Sequence, residues 1–240
     1  MSNTIRIPSR DVIIACDFPG RDETLTFLDR FHGEKPFVKI GMELFYACGP
    51  EIVREIHDRG HRIFLDLKLH DIPNTVSRAM SVLRDLGADM VNLHAAGTSP
   101  MMKAAIEGLT RPDGTRPLLI AVTQLTSTSQ ETMEEDLMIH APIQDVVLHY
   151  ALRARDAGLD GVVCSPLEAA SVHETCGRSF LTVTPGVRFA GGDVGDQKRV
   201  TTPERAREIG SDLIVMGRPI TADPDPVGAW KRAREAFLGT

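Results

Sequence analysis

The chain is organised around one stretch, IFLDLKLHDIPNT at residues 63–75. Its apolar first half is typical of a buried strand, and the proline and asparagine near its end mark the start of a helix. Because side chains alternate along a strand, Asp66 and Lys68 are predicted to lie on one face, with Asp71 on the turn that follows. Burying an unpaired charge is costly, so we expect this strand end to open onto a mouth filled by solvent or ligand.

Seven further apolar runs have the length of strands, and amphipathic segments with helical spacing lie between them. The alternation predicts a single-domain (β/α)8 TIM barrel over residues 1–240. The joints between helix and strand are short, of the Gly-Ala-Asp or Gly-Leu-Asp type, which indicates a purely structural role for the lower face, where the strands begin. A capping box from Thr128 to Glu131 predicts a helix that starts at Thr128. The predicted strands are Val12–Cys16, Phe37–Ile40, Arg62–Leu67, Met90–Leu93, Leu118–Val122, Gly161–Cys164, Leu181–Thr184 and Leu213–Met216. The predicted helices include Glu51–Arg59, Val76–Leu86, Met101–Leu109 and Val146–Ala157.

Composition and charge narrow the classes of function. The formal net charge of −6 argues against general binding to nucleic acid or to an anionic membrane. The four cysteines lie far apart and form no CxxC motif, so neither a disulfide framework nor a metal knuckle is predicted. The first residues lack the apolar core of a signal peptide, and no segment approaches a membrane span in length, so we expect a cytoplasmic protein.

In a barrel of this type the chemistry lies on the loops that follow the strands. No metal is expected, because the pair His57 and His61 is interrupted by Gly60 at a predicted helix end. Polar residues gather after the strands at Asp17, Lys39, Asp66, Lys68, His94, 123–127, Ser165, 185–188, Gly217 and Arg218.

The stretch DLKLHDIPNT at residues 66–75 resembles the signature of the orotidine 5′-monophosphate decarboxylase family, in its bacterial branch. Further motifs extend the resemblance along almost the whole chain, in the order that this family shows. They are VIIACD at 12–17, VKIG at 38–41, AVTQLTS at 121–127, TPGVR at 184–188 and MGRPI at 216–220. The resemblance implies a homodimeric enzyme that converts orotidine 5′-monophosphate to uridine 5′-monophosphate, the last step of pyrimidine synthesis, without a cofactor.

The chemistry of that reaction gives Lys68 its expected role. Loss of carbon dioxide from the sixth carbon of the orotate ring leaves a carbanion in the ring plane, outside the π system. A lysine ammonium beside the leaving carboxylate can stabilise this carbanion and then protonate it. Lys68 is the candidate for that group, and Asp66, Asp71 and Lys39 are expected to complete a fixed catalytic array of charges around it.

The resemblance also implies where the substrate is held. The phosphate is expected where Gly217 and Arg218 follow the last strand, since such barrels commonly bind phosphate there. The loop from Arg188 to Lys198 is interpreted as a lid, on which Gln197 bridges phosphate and pyrimidine. The other implied contacts are Asp17, Lys39 and Asp66 at the ribose and its charge network, Thr126 at the pyrimidine, Pro185, Arg188 as a second phosphate ligand, and Ile72 and Thr75, which with Asp71 reach into the partner subunit's site.

Plainer explanations stay open for several of these residues. Asp66 with Lys68, and Asp17 with Lys39, could form salt bridges without any chemistry. Asp71 could instead cap the helix that follows it. The arginines could lie on the surface, and the lid could be an ordinary surface loop.

Two other functions also stay open. One is a magnesium-dependent decarboxylase or aldolase that acts on a phosphorylated keto-sugar with the same barrel. The other is a barrel without catalytic activity that senses uridine 5′-monophosphate. Sensitivity to EDTA separates the first from a cofactor-free decarboxylase, and an assay of substrate loss separates the second.

Overall fold

Eight parallel strands close into a barrel in the computed structural model, which describes residues 10–191 and 201–240. The strands follow one another around the barrel in chain order, and the last pairs with the first, Val215 opposite Ile13. The predicted (β/α)8 barrel is therefore confirmed. The strands are β1 Asp11–Ala15, β2 Phe37–Gly41, β3 Ile63–Leu69, β4 Met90–His94, β5 Leu118–Val122, β6 Gly161–Val163, β7 Leu181–Thr184 and β8 Leu213–Met216.

Helices cover the outside of the barrel. They are α1 Arg21–Asp29, α2 Met42–Cys48, α3 Glu51–Asp58, α4 Pro73–Leu83, α5 Thr98–Leu109, α6 Gln130–Leu137, α7 Ile143–Ala157, α8 Ala169–Cys176, α9 Pro203–Ile209, α10 Arg218–Thr221 and α11 Pro226–Leu238. Three of them, α4, α5 and α7, begin three residues before the predicted start, because no side chain of their first three residues is buried and the apolar period therefore starts later. Across the described residues, no helix combines the length and the apolar character needed to cross a membrane.

The core has two layers, separated by the wall of the barrel. The interior is filled by strand residues alone, among them Phe37, Phe64 and Val215. The alternate strand residues, such as Val38 and Leu65, point outward and pack with the helices in a larger cluster. This two-sided burial explains why the strands are apolar on both faces.

The lower face of the barrel repeats one structural device three times. A glycine with positive φ lies between a helix and the next strand, and an aspartate two residues later accepts a hydrogen bond from a backbone N–H near the start of the previous strand. The glycines are Gly87, Gly158 and Gly210; the bonds join Asp89 to Ile63, Asp160 to Leu119 and Asp212 to Thr182, at 2.8, 2.7 and 2.8 Å. The structural role expected for the Gly-Ala-Asp and Gly-Leu-Asp joints is confirmed, and the Gly-Ser-Asp joint before β8 shares it.

The N-cap of helix α6 lies one residue after the predicted one. Ser129, and not Thr128, is its N-cap, because the Ser129 hydroxyl accepts a hydrogen bond from the N–H of Thr132. The Thr132 hydroxyl accepts one in return from the N–H of Ser129, at 3.0 Å. The capping box is therefore formed one residue further on, with a threonine where the pattern placed Glu131.

Candidate active site

The charged residues at the carboxyl ends of the first three strands form one continuous row. Lys68 Nζ lies 2.7 Å from Asp66 Oδ1, and Lys39 Nζ lies 3.5 Å from Asp66 Oδ2. Lys39 Nζ also lies 2.9 Å from Asp17 Oδ1. Negative and positive groups thus alternate from Asp17 through Lys39 and Asp66 to Lys68.

Strand geometry places this row above the apolar interior of the barrel. Lys39 follows Phe37 by two residues on β2, and Asp66 follows Phe64 by two residues on β3, so both continue the inward-facing series. The side chains of Lys39 and Asp66 are only 11% and 10% exposed. Charges in such a site interact more strongly than charges at a wet surface, because little water screens them.

The alternation of charge keeps both buried groups ionised. Burial disfavours the charge of Asp66, but Lys39 and Lys68, with a hydrogen bond from Asn92, hold the pKa of this carboxyl below its ordinary value. Burial likewise opposes the charge of Lys39, but Asp66 and Asp17 hold the pKa of its amine above the ordinary value. Both groups are therefore charged at neutral pH.

The backbone of Lys68 adopts a left-handed conformation with φ of 51°. Residues other than glycine rarely adopt it, at a cost of roughly 1–2 kcal/mol. The pairing of β3 with β4 shifts register between Leu65 and Leu69, so a bulge interrupts the regular alternation of side chains here. Asp66 and Lys68 do meet, but through this bulge rather than through simple alternation along the strand.

Sequence reasoning missed one residue of the site, Asn92 on β4. Its side-chain oxygen accepts a hydrogen bond from the backbone N–H of Lys68 at 2.8 Å, and its amide nitrogen donates to Asp66 Oδ1 at 2.7 Å. Asn92 is 1% exposed. The signal was present in the sequence, since Asn92 is a polar residue inside the otherwise apolar run Met90–Leu93, and such a residue needs hydrogen-bond partners within the fold.

Two adjoining cavities open above the charged row. The first, of about 250 Å³, is lined by Lys39, Asp66 and Lys68 and otherwise by many apolar side chains. The second, of about 600 Å³, is lined by Asp17 and by the two arginines that the sequence assigns to phosphate. Lys39 and Pro185 line both cavities. The arrangement suits an elongated ligand with a flat, largely apolar part at one end and an anion at the other.

Most predicted substrate contacts line these cavities. Thr126 borders the first cavity and is 9% exposed. Arg188, Gly217 and Arg218 border the second, where Arg218 opens α10 directly after the last strand. A backbone of glycine leaves room for close approach by a ligand, and a guanidinium can clamp two oxygens of an anion.

Comparison with known proteins decides the family. The model of the orotidine 5′-phosphate decarboxylase / HUMPS family matches residues 10–233. The chain belongs to this family. The orotidine 5′-phosphate decarboxylases of Bacillus cereus (strain G9842) and Bacillus mycoides (strain KBAB4) are 55% and 54% identical to it over 234 residues, which cover 96% of this chain and 98% of each relative. Both relatives are named as carboxy-lyases, and the match covers nearly the full length of each. The expectation of an enzyme of that class is therefore confirmed.

Two solved structures agree with the fold. The orotidine 5′-phosphate decarboxylase of Lactobacillus acidophilus superimposes with a TM-score of 0.85 at 41% identity, covering 95% of this chain and 99% of that one. A protein of Geobacillus kaustophilus described as an uncharacterized conserved protein reaches the same TM-score at 49% identity, with 94% and 99% covered.

The residues predicted to reach a partner subunit lie on the outside of this decarboxylase-family chain. Asp71, Ile72 and Thr75 are all exposed, Ile72 to 66%, and they line neither cavity. Helix α4 begins at Pro73 with Ile72 as its N-cap and without a capping side chain. The Asp71 carboxylate accepts the N–H of Ile72, at 2.6 Å, and not one from the first turn. The capping alternative for Asp71 is therefore wrong, and its role in a partner's site stays a prediction.

Two predictions about the family's site stay open. Gln197, with most of the loop interpreted as a lid, lies outside the described residues. Among residues 10–191 and 201–240, no three His, Cys, Asp or Glu side chains gather in a way that could hold a metal ion. The expectation that the enzyme uses no metal or cofactor stays a prediction.

Proposed function

We propose that the protein decarboxylates orotidine 5′-monophosphate to uridine 5′-monophosphate, in the last step of pyrimidine synthesis, without a cofactor. The observation that carries the proposal is the alternating row of charges that ends at Lys68 inside a nucleotide-sized pair of cavities. As an enzyme of nucleotide synthesis, it is proposed to act in the cytoplasm.

Lys68 carries the proposed chemical step. The bond between the sixth ring carbon and the carboxylate breaks, carbon dioxide leaves, and the electron pair stays on the ring carbon. The ammonium of Lys68 stabilises this pair electrostatically and then transfers a proton to it, leaving a neutral amine. Asp66, 2.7 Å from Lys68 Nζ, holds the ammonium in place before the reaction, so little reorganisation is needed as charge develops.

The rest of the row and the second cavity are proposed to bind the ribose and the phosphate. Asp17 and Lys39, which line the second cavity, are suited to hydrogen bonds with ribose hydroxyls. Gly217, Arg218 and Arg188 are proposed to hold the phosphate on the far side of this cavity. Binding energy from these parts, which do not react, can then place the orotate carboxylate at the charged row.

We also propose that the active form is a homodimer. The start of α4 directly follows the strand that carries Asp66 and Lys68, and it presents Asp71, Ile72 and Thr75 as an exposed group that a second chain can contact. In this arrangement Asp71 adds a second carboxylate to the partner's row of charges, Ile72 and Thr75 contact the partner's substrate, and Gln197 closes over it from the lid.

The direct test is loss of orotidine 5′-monophosphate, followed by absorbance, with EDTA present. We expect full turnover in EDTA. Turnover that EDTA abolishes would show that the reaction needs a metal ion, and no turnover with or without EDTA would favour the magnesium-dependent reaction on a keto-sugar. Lys68→Ala is expected to abolish measurable turnover while uridine 5′-monophosphate still binds. Lys103→Ala, at an exposed lysine of α5, is the matched control and is expected to turn over normally. Turnover by the Lys68 variant would refute its role as the proton donor.

A further inference from the structure

We propose that Asn92 is a positioning residue for the decarboxylation, which fixes the backbone of Lys68 and the carboxylate of Asp66 at the same time. The inference rests on the proposed function. Asn92 lies at the middle of β4, is 1% exposed, and follows Met90, an interior residue, by two positions. Its side chain therefore enters the barrel at the level of the charged row.

The two hydrogen bonds of Asn92 close a ring with Asp66 and Lys68. Asn92 Oδ1 accepts the backbone N–H of Lys68 at 2.8 Å, and Asn92 Nδ2 donates to Asp66 Oδ1 at 2.7 Å. The same oxygen, Asp66 Oδ1, accepts from Lys68 Nζ at 2.7 Å. The buried amide of Asn92 thus fixes Lys68 at two points. It binds the main chain of Lys68 directly, and it holds the ammonium through Asp66.

Only a primary amide of this length makes both bonds. The backbone N–H of Lys68 needs an acceptor, while the carboxylate of Asp66 needs a donor, and the amide offers one of each about 2 Å apart. If the amide were turned over, its NH₂ group would face the N–H of Lys68, and its oxygen would face the carboxylate of Asp66. Neither contact could then be a hydrogen bond. An ionised aspartate would supply only acceptors, and an aliphatic residue of the same shape would supply neither.

The first bond bears on the strained backbone of Lys68. With φ of 51° and a register shift between β3 and β4, the Lys68 N–H has left the regular ladder of the sheet, and Asn92 supplies the acceptor. Without it, the relaxed strand would direct the lysine side chain along a different path. Asn92 therefore helps to determine where the ammonium lies.

The second bond bears on the orientation of Asp66. Its Oδ1 receives Lys68 and Asn92, while its Oδ2 faces Lys39 at 3.5 Å. Each oxygen has its own partners, so rotation of the carboxylate would exchange them and disturb both lysines. Removing Asn92 leaves Asp66 free to rotate, and small displacements of catalytic groups can cost about 10²-fold in rate.

Two variants test the proposal in the full-length enzyme. For Asn92→Ala we expect kcat for orotidine 5′-monophosphate to fall about 10²-fold, with KM changed far less, because the phosphate and ribose contacts are untouched. Thr182→Val is the matched control, since Thr182 is equally buried and hydrogen-bonded but lies at the lower face with Asp212. It is expected to lower stability and to leave kcat unchanged.

Asn92→Asp supplies a readout that a purely structural role would not change. When protonated, the new carboxyl can accept from the Lys68 N–H and donate to Asp66, as the amide does; when ionised, it repels Asp66. The other charged groups nearby are Lys68 on β3 and Lys39 beyond Asp66, while the register partner on β5 is the uncharged Ile120. His94, two residues along β4, is titratable, and burial holds its pKa below the ordinary value. The kcat of this variant relative to the original enzyme is expected to rise as pH falls.

The possible outcomes separate this inference from the proposed function. If the unaltered protein does not consume orotidine 5′-monophosphate, the proposed function is refuted. A crystal structure of Asn92→Ala then still tests whether Asn92 positions Lys68. We expect that structure to show Lys68 with a changed φ or with Nζ separated from Asp66 Oδ1. An unchanged Lys68, or a pH-independent kcat ratio for the folded Asn92→Asp enzyme, would overturn the positioning role. If Asn92→Ala does not fold, the isosteric Asn92→Asp enzyme decides alone.

Discussion

At the scale of single residues, the site depends on close contacts between unlike groups. Asp17 follows β1 and Lys39 lies within β2, and their side chains meet above Gly41, the last residue of β2. A Cβ atom at Gly41 would lie 3.1 Å from both Asp17 Oδ1 and Lys39 Nζ. Glycine is needed here for the space that it leaves, and not for its backbone freedom, because its φ of −88° suits any residue.

We therefore expect Gly41→Ala to separate activity from stability. The ion pair must shift by a few tenths of an ångström, which flexible side-chain ends can do cheaply, but the row of charges is then displaced. The expected result is a kcat/KM lowered about tenfold with little change in the free energy of unfolding, measured by substrate absorbance and by urea denaturation. Gly33→Ala, where an added Cβ meets nothing within 4 Å, is the control. Full activity of the Gly41 variant would mean that the pair tolerates displacement.

At the scale of elements, the lower face shows how the strands are held in register. Asp212, two residues after the glycine that ends α9, accepts hydrogen bonds from the N–H and the hydroxyl of Thr182 at the start of β7. His173 on α8 adds a third contact, with Nε2 at 3.2 Å from Asp212 Oδ2. One carboxylate thus joins two strands and a helix.

This contact predicts a dependence of stability on pH. The hydrogen bond to Asp212 raises the pKa of His173 above its ordinary 6.5, although burial opposes the shift. A raised pKa means that the protonated form stabilises the fold; this contribution is full below about pH 6.5 and is lost as pH rises through the higher pKa of the folded state. His173→Gln should therefore lower the free energy of unfolding more at pH 6 than at pH 9, in urea titrations. A cost independent of pH, or one that grows with pH, would show that His173 acts as a neutral side chain.

At the scale of the whole molecule, the barrel brings together side chains that lie far apart in sequence. The row of charges draws on three strands, and the cavities above it extend from Thr126 to Arg218. Yet Asp71, assigned to catalysis by the resemblance, lies outside the cavities of a single chain. The complete catalytic array is therefore proposed to require two chains.

We expect the protein to elute as a dimer of twice 26.3 kDa and Ile72→Arg to dissociate it. A charge introduced at an apolar interface residue is left without a partner, so the dissociation constant should rise by 10²-fold or more, at about 3 kcal/mol. Activity should fall in parallel with the dimer fraction, measured by light scattering and by substrate absorbance across a dilution series. Leu167→Arg, at a residue 56% exposed after β6, is the control. A fully active monomer would refute the shared site.

The sequence by itself determined the eight strands, the barrel and most of the residues that line its mouth. Apolar runs of strand length and polar residues at their ends are local patterns, so they can be read without coordinates. The resemblance of the motifs named the family, which the comparisons confirm. Helix starts were less certain, because first turns carry no buried side chains and so leave no periodic signal.

Only the tertiary structure decided how the charges meet. The bulge at Lys68, the bridging amide of Asn92 and the crowding above Gly41 each depend on pairing between strands that are distant in sequence. A sequence shows which groups carry charge, but the distance between two charges is set by the register of the strands that hold them. Because the proposed catalysis by fixed charges depends on those distances, it requires the closed barrel and not any single segment.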